Sequence, residues 1–231
     1  MRNTLTKLSL MTVACVMAAH GAFAQTPAGD PCSAATSGSC VSGTSSQSIT
    51  ISRPEPLRTS AYVMQIGDAN DASISQSSSN QFASITQTGD KGTARVDQQG
   101  EGIAYLEVDQ AGLLNSFVVR QTAESGGGNI AVAEQDGENN AILLDQFATV
   151  GNLNGAVLAQ QGMGNKMELN QAGSDNRAEL VQTGDNNAMT ATQNGSANQL
   201  RWVQDGNGLS DLQIVQSGNQ AISITQSNGG N

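Results

Sequence analysis

Glutamine recurs along this chain at a near-constant interval, and that interval dictates what the chain can fold into. The ladder runs through Gln65, Gln76, Gln87, Gln98, Gln110, Gln121, Gln135, Gln146, Gln160, Gln171, Gln182, Gln193, Gln204, Gln216 and Gln226. Nine of its fourteen intervals are eleven residues long. A glutamine-rich low-complexity tract would not hold neighbouring columns in register, whereas here each column is filled selectively.

Four residues before each glutamine, and again two before it, the residue is apolar in all fifteen copies, as with Ala178 and Leu180 before Gln182. A spacing of two is the side-chain period of a strand with one buried face. Six before the glutamine, nine copies carry asparagine: Asn70, Asn115, Asn129, Asn140, Asn154, Asn165, Asn176, Asn187 and Asn198. The inward set of each strand is therefore Asn, a smaller apolar residue, a larger one, and Gln. Glycine follows two after the glutamine in eleven of fourteen connections, including Gly67, Gly89, Gly112, Gly137, Gly162, Gly173, Gly184 and Gly195. Only glycine takes the positive φ of a tight arc without steric cost.

Strand, arc and strand repeat, so two units of about eleven residues close one rung of a flattened solenoid. Rungs stack at roughly 4.8 Å, and about seven of them give a body near 35 Å long. Stacking puts Gln over Gln and Asn over Asn, letting the amides hydrogen-bond along the axis. Without those partners, buried amides would be costly. The expected fold is all-β, a two-sheet β-solenoid over residues 59–226, with a short tail at 227–231.

Segments such as Gln171-Ala-Gly173-Ser-Asp-Asn176-Arg-Ala178-Glu-Leu-Val-Gln182 resemble the curlin repeat, Gln-x-Gly-x-x-Asn-x-Ala-x-x-x-Gln, and Gln65 to Gln76 matches it equally well. The resemblance runs from about Thr59 to Gln226, and tandem copies behind a secretory leader make it specific. It implies a curli subunit, exported unfolded through an outer-membrane secretion pore and templated into surface amyloid used in adhesion and biofilm matrix. The implied partners are other copies of the chain, accessory factors and a sister curlin subunit. Two features depart from the pattern: the array is longer than the five repeats usual for curlins, and aromatic residues are scarce.

Residues 1–24 carry Arg2, Lys7, an apolar run from Leu8 to Ala19 and the small-residue site Ala22-Phe23-Ala24, as a cleaved secretory signal does. The run is too short to span a membrane, and Thr12-Val13-Ala14 before Cys15 is a poor lipobox. Cleavage leaves 8 Lys and Arg against 20 Asp and Glu, a net charge of −12 that does not suit nucleic acid. It also removes the only histidine, His20, and with it histidine-based catalysis and histidine-containing metal sites. No cofactor is expected. Residues 25–58 lack the ladder, hold all four prolines and are expected to form a disordered arm, and the curlin resemblance implies that the export machinery recognises it. Within it, Cys32 and Cys40 either close a small disulfide loop or remain free thiols.

Counting repeat strands from the one that ends at Gln65, three connections from an even to an odd strand are lengthened, those ending at Gln110, Gln135 and Gln160, and Ala123 and Ala148 replace the arc glycine in the two longest. They should stack on one edge of the solenoid, either as loops free to vary or as a partner-binding edge. Outward residues pair a rung apart, which predicts a charge ladder through Asp97, Arg120 and Asp145 and a Glu179–Arg201 pair. Phe82, Tyr105, Ile130, Val132 and Val157 should face outward together as a lateral contact between fibres. Asp68, Asp90, Asp136, Asp175, Asp185 and Asp205 crowd the arcs, because Asp suits turns or because charge slows premature polymerisation.

A fibre subunit needs similar, unpaired strand edges at both ends. The first and last repeat strands keep the pattern and no cap is visible in the sequence, whereas soluble solenoids normally carry caps. The terminal repeat has neither the irregularity nor the basic residues of a nucleator, which favours the major fibre subunit over a minor one. The alternative is a monomeric solenoid that binds ice or a carbohydrate on a flat face; an ice-binding face would need regular outward Thr rows, and the outward columns here are mixed. A lyase or glycosidase would group carboxylates, yet no Asp or Glu falls in an inward column, so the chain is not read as an enzyme.

Overall fold

The computed structural model describes residues 40–43, 59–151 and 153–228. The signal segment, Cys32 and most of the arm lie outside the described residues.

Alternating apolar and polar residues give strands throughout: β1 (Cys40–Gly43), β2 (Ser60–Ile66), β3 (Asp71–Gln76), β4 (Gln81–Asp90), β5 (Thr93–Gln99), β6 (Ile103–Leu113), β7 (Ser116–Ala123) and β8 (Gly128–Glu138). The series continues with β9 (Ala141–Ala148), β10 (Leu153–Met163), β11 (Lys166–Ser174), β12 (Arg177–Thr183), β13 (Ala188–Ser196), β14 (Gln199–Asp205), β15 (Gln213–Ser217) and β16 (Ala221–Ser227). Even-numbered strands from β2 to β16 form one sheet and odd-numbered strands from β3 to β15 the other, each in chain order. Every pairing among β2 to β16 is parallel, and the two sheets enclose about seven turns of a β-solenoid.

Register follows the repeat even where the connections do not. Gln110, Gln135 and Gln160 are direct partners although fourteen residues separate Gln121 from Gln135 and Gln146 from Gln160. The extra residues are confined to the arcs. A slip of one residue would turn each apolar column outward, so the strands hold their pairing and the loops bulge. The core is a single continuous column from Ala83 to Ile224, in which Phe117, Leu144, Leu180 and Trp202 are fully enclosed.

One expectation is overturned. The last strand was expected to present an open edge, but β1 pairs antiparallel with β16, placing Cys40 opposite Ser227 and Gly43 opposite Ile224. The composition of residues 25–58 argues against a core of their own. It says nothing about pairing with an edge that already offers free N–H and C=O groups.

Candidate functional site

The amide ladders and the two end rungs are what this fold offers for a function. In the even-strand sheet, Gln65, Gln87, Gln110, Gln135, Gln160, Gln182, Gln204 and Gln226 are joined Nε2 to Oε1 at 2.6–2.9 Å. In the other sheet, Gln76, Gln98, Gln121, Gln146, Gln171, Gln193 and Gln216 are joined at 2.7–2.9 Å. Nearly every interior amide also donates to a backbone carbonyl across the core, as Gln182 does to Lys166 O at 3.1 Å, whereas Gln87 donates to Gln110 alone among the described residues. Every buried ladder amide thus has partners along the axis, and nearly all have one across the core as well, the condition under which a buried polar network strengthens a core. All these bonds run in one sense, each amide donating to the rung that follows it in sequence.

Asparagine behaves differently from the expected Asn-over-Asn bonding. In most copies Oδ1 accepts the backbone N–H of the next rung, as Asn140 Oδ1 does from Asn165 N at 3.1 Å, while Nδ2 donates to arc carbonyls such as Gly162 O at 2.8 Å. Asn70, Asn115, Asn165, Asn176 and Asn187 make the same contacts with arc carbonyls. Side-chain bonds between asparagines occur for Asn154 with Asn129 at 3.3 Å and Asn198 with Asn176 at 2.9 Å. The shorter side chain mostly serves the backbone of the turn, and where it does bond to a neighbouring asparagine it keeps its carbonyl contacts as well.

Gly67, Gly89, Gly112, Gly137, Gly162, Gly173, Gly184 and Gly195 all have positive φ, between +88° and +118°. At Gly89, Gly112 and Gly173 an added Cβ would lie 2.0 Å from the carbonyl oxygen of the next arc. Arc aspartates have a role beyond suiting the turns. Asp90 Oδ1 accepts the N–H of Asp68 at 2.8 Å and Asp185 Oδ1 that of Met163 at 2.8 Å, tying each turn to the one before it. Asp175 pairs with Arg177 at 2.8 Å. Recurrence of Asp three residues after a glutamine was the legible signal.

The lengthened arcs stack as neighbours: Gly102 N donates to Ala123 O at 3.0 Å and Glu124 N to Ala148 O at 3.0 Å, with both alanines fully buried. On the outer faces, Arg120 lies 3.5 Å from Asp145 and Arg201 3.5 Å from Glu179. Asp97 is in register with Arg120 but receives a hydrogen bond from Gln99. Phe82 stacks on Tyr105 with ring centroids 4.9 Å apart and has Tyr62 6.1 Å away on its other side. Ile130, expected outward, is buried at 2% exposure, where its register neighbours are Tyr105 and Gly155, the latter leaving its strand without a side chain. The opposite face exposes Val118, Leu143 and Phe147, an apolar group that sequence reading passed over.

Electrostatics on the even-strand face are set first by burial and then by neighbouring acids. Burial, then the charge of Asp136, raises the Asp109 carboxyl above its ordinary value. Burial, with a hydrogen bond to the Glu107 carboxylate and that group's charge, raises the Tyr105 hydroxyl. Among the described residues, the buried polar side chains are all Gln or Asn.

The two ends differ. At the first rung Val63 is 49% exposed, and the Oε1 atoms of Gln65 and Gln76 accept no hydrogen bond among the described residues. At the last rung Ile224 is 7% exposed, and Gln226 Oε1 accepts from both Gln204 Nε2 at 2.8 Å and Trp202 Nε1 at 2.9 Å.

Among known proteins, no curated sequence matches the chain. Residues 67–100, which hold β3, β4 and β5, match the family model described as the curlin associated repeat. The same strand and arc recur in register from β2 to β16, so the stretch similar to the curlin associated repeat is one part of a solenoid built from like units.

Proposed function

We propose that the chain is a structural subunit of an extracellular curli-like amyloid fibre, growing by end-to-end stacking of solenoid rungs and serving in adhesion and biofilm matrix. The observation that carries this reading is the first rung, where, among the described residues, β2 has a neighbouring strand on one side only, Val63 is exposed and the Gln65 and Gln76 acceptors are unused. A second copy would continue both sheets and both amide ladders there without any new type of contact. Secretion by the leader at 1–24, passage through an outer-membrane pore and a sister subunit belong to the same reading, as does the absence of an enzymatic role. So do recognition of the arm at 25–58 by the export machinery and a major rather than nucleating role.

β1 lends some weight to a second reading, a monomeric surface-binding solenoid, since an edge-covering strand keeps solenoids soluble. Time-resolved thioflavin fluorescence of the purified chain, with and without preformed seeds, separates the two. Fibre growth with a lag abolished by seeds, and reflections at about 4.8 Å and 10 Å, is expected. A chain that stays monomeric at high concentration and ignores seeds would overturn the fibre reading.

A further inference from the structure

Resting on the fibre reading, we infer that β1 is a plug that holds the last rung closed, and that a second copy extends the sheet by exchanging its β2 for that plug. Three observations support the exchange. First, β1 is the one antiparallel strand in an otherwise parallel sheet, and its four residues cover only Ile224–Ser227 of the seven-residue β16. Second, the plug does not continue the repeat. Val41 stands opposite Gln226 and Gly43 opposite Ile224, positions where a stacked copy would bring Gln65 and Val63, as in the register between β14 and β16. Exchange therefore replaces four pairs by as many as seven and adds a step to the amide ladder. Third, the plug closes one sheet only. Among the described residues the outer edge of β15 has no neighbouring strand, so an incoming copy has a strand on which to begin before β1 leaves.

Chain length allows the plug to act within one molecule. The segment 44–58 reaches about 50 Å when extended, and seven strand spacings of about 4.8 Å separate β16 from β2, roughly 34 Å. The consequence is a polar fibre. The first rung is always ready to dock, the last rung docks only when β1 is displaced, and free subunits are held back from joining one another.

Two variants of the full chain test this. Alternate residues of an antiparallel strand direct their N–H groups to the partner, so the double substitution V41P/S42P removes a ladder donor whichever of the two residues supplies it. Seeded elongation should quicken by about fivefold, equivalent to ~1 kcal/mol; an unchanged or slower rate would overturn the plug while leaving the fibre reading intact. In a C15S/C32S/C40S background, S42C/T225C can lock the register pair Ser42 and Thr225. The oxidised monomer should fail to elongate seeds and reduction should restore growth. Equal elongation in both forms would also overturn the plug. If wild type and every variant ignore seeds, the fibre reading itself falls, and the exchange with it.

Discussion

A buried glutamine in this core is held by bonds in three directions, so its loss is felt by its neighbours. Gln146 accepts from Gln121, donates to Gln171 and donates to Ile130 O. Gln146→Leu keeps the volume and strands two amides, which should cost about 2–4 kcal/mol in equilibrium denaturation. At Gly112, φ is +105° and a Cβ would sit 2.0 Å from Gly137 O. Gly112→Ala should therefore cost about 3 kcal/mol or more, while Gly208→Ala, with nothing within 4 Å of its Cβ position, should cost only about 1 kcal/mol of backbone strain. Asp109 sets a pH dependence. Its carboxyl is raised in the folded chain, so the folded state binds the proton more tightly than the unfolded one. Its contribution is fully present below the unfolded carboxylate value and is lost as pH rises through the raised folded value. Thermal unfolding should accordingly show Asp109→Asn more stable than wild type at pH 7, with the gap closing on acidification through the carboxylate range.

At the scale of strands, the outward faces decide what touches the solenoid from the side. Val132 and Val157 are register neighbours, flanked along their column by Glu107 and Glu179. Beside them lies the Phe82 and Tyr105 stack. An apolar strip bounded by acids fits a lateral contact between fibres. Val132→Lys with Val157→Lys should leave the seeded elongation rate unchanged and reduce bundle width by electron microscopy. Unaltered bundles would shift attention to Val118, Leu143 and Phe147 on the opposite face. The outer ion pairs are exposed or half-exposed and worth at most about 1 kcal/mol each, so they tune register without deciding it.

For the molecule as a whole, stability is a sum over neighbouring rungs, because each strand pairs only with those one turn before and after. Deleting one turn, Ala172 to Gln193, joins Gln171 to Asn194 and brings the two parts of the chain back into the same register. The shortened chain should still fold cooperatively, with a denaturant m-value reduced roughly in proportion to the surface lost. Loss of cooperative folding would mean that distant rungs depend on one another in ways that strand pairing does not express.

The sequence by itself determined the rung. A period of eleven with apolar residues two apart fixes which side chains face inward, and a buried Gln column is tolerable only if the amides meet one another. The strands, their register and the arc glycines follow from that local rule repeated fifteen times. What the tertiary structure decided were contacts between segments with no shared period. Ile130 is enclosed through its neighbours a rung away, Asp90 and Asp185 spend their carboxylates on the previous turn, and Asn mostly serves the backbone of arcs and of the next rung. β1 is the clearest case. Four residues without a repeat carry no signal of their own, because the free edge that pairs with them lies almost two hundred residues further along the chain and exists only once the solenoid has folded.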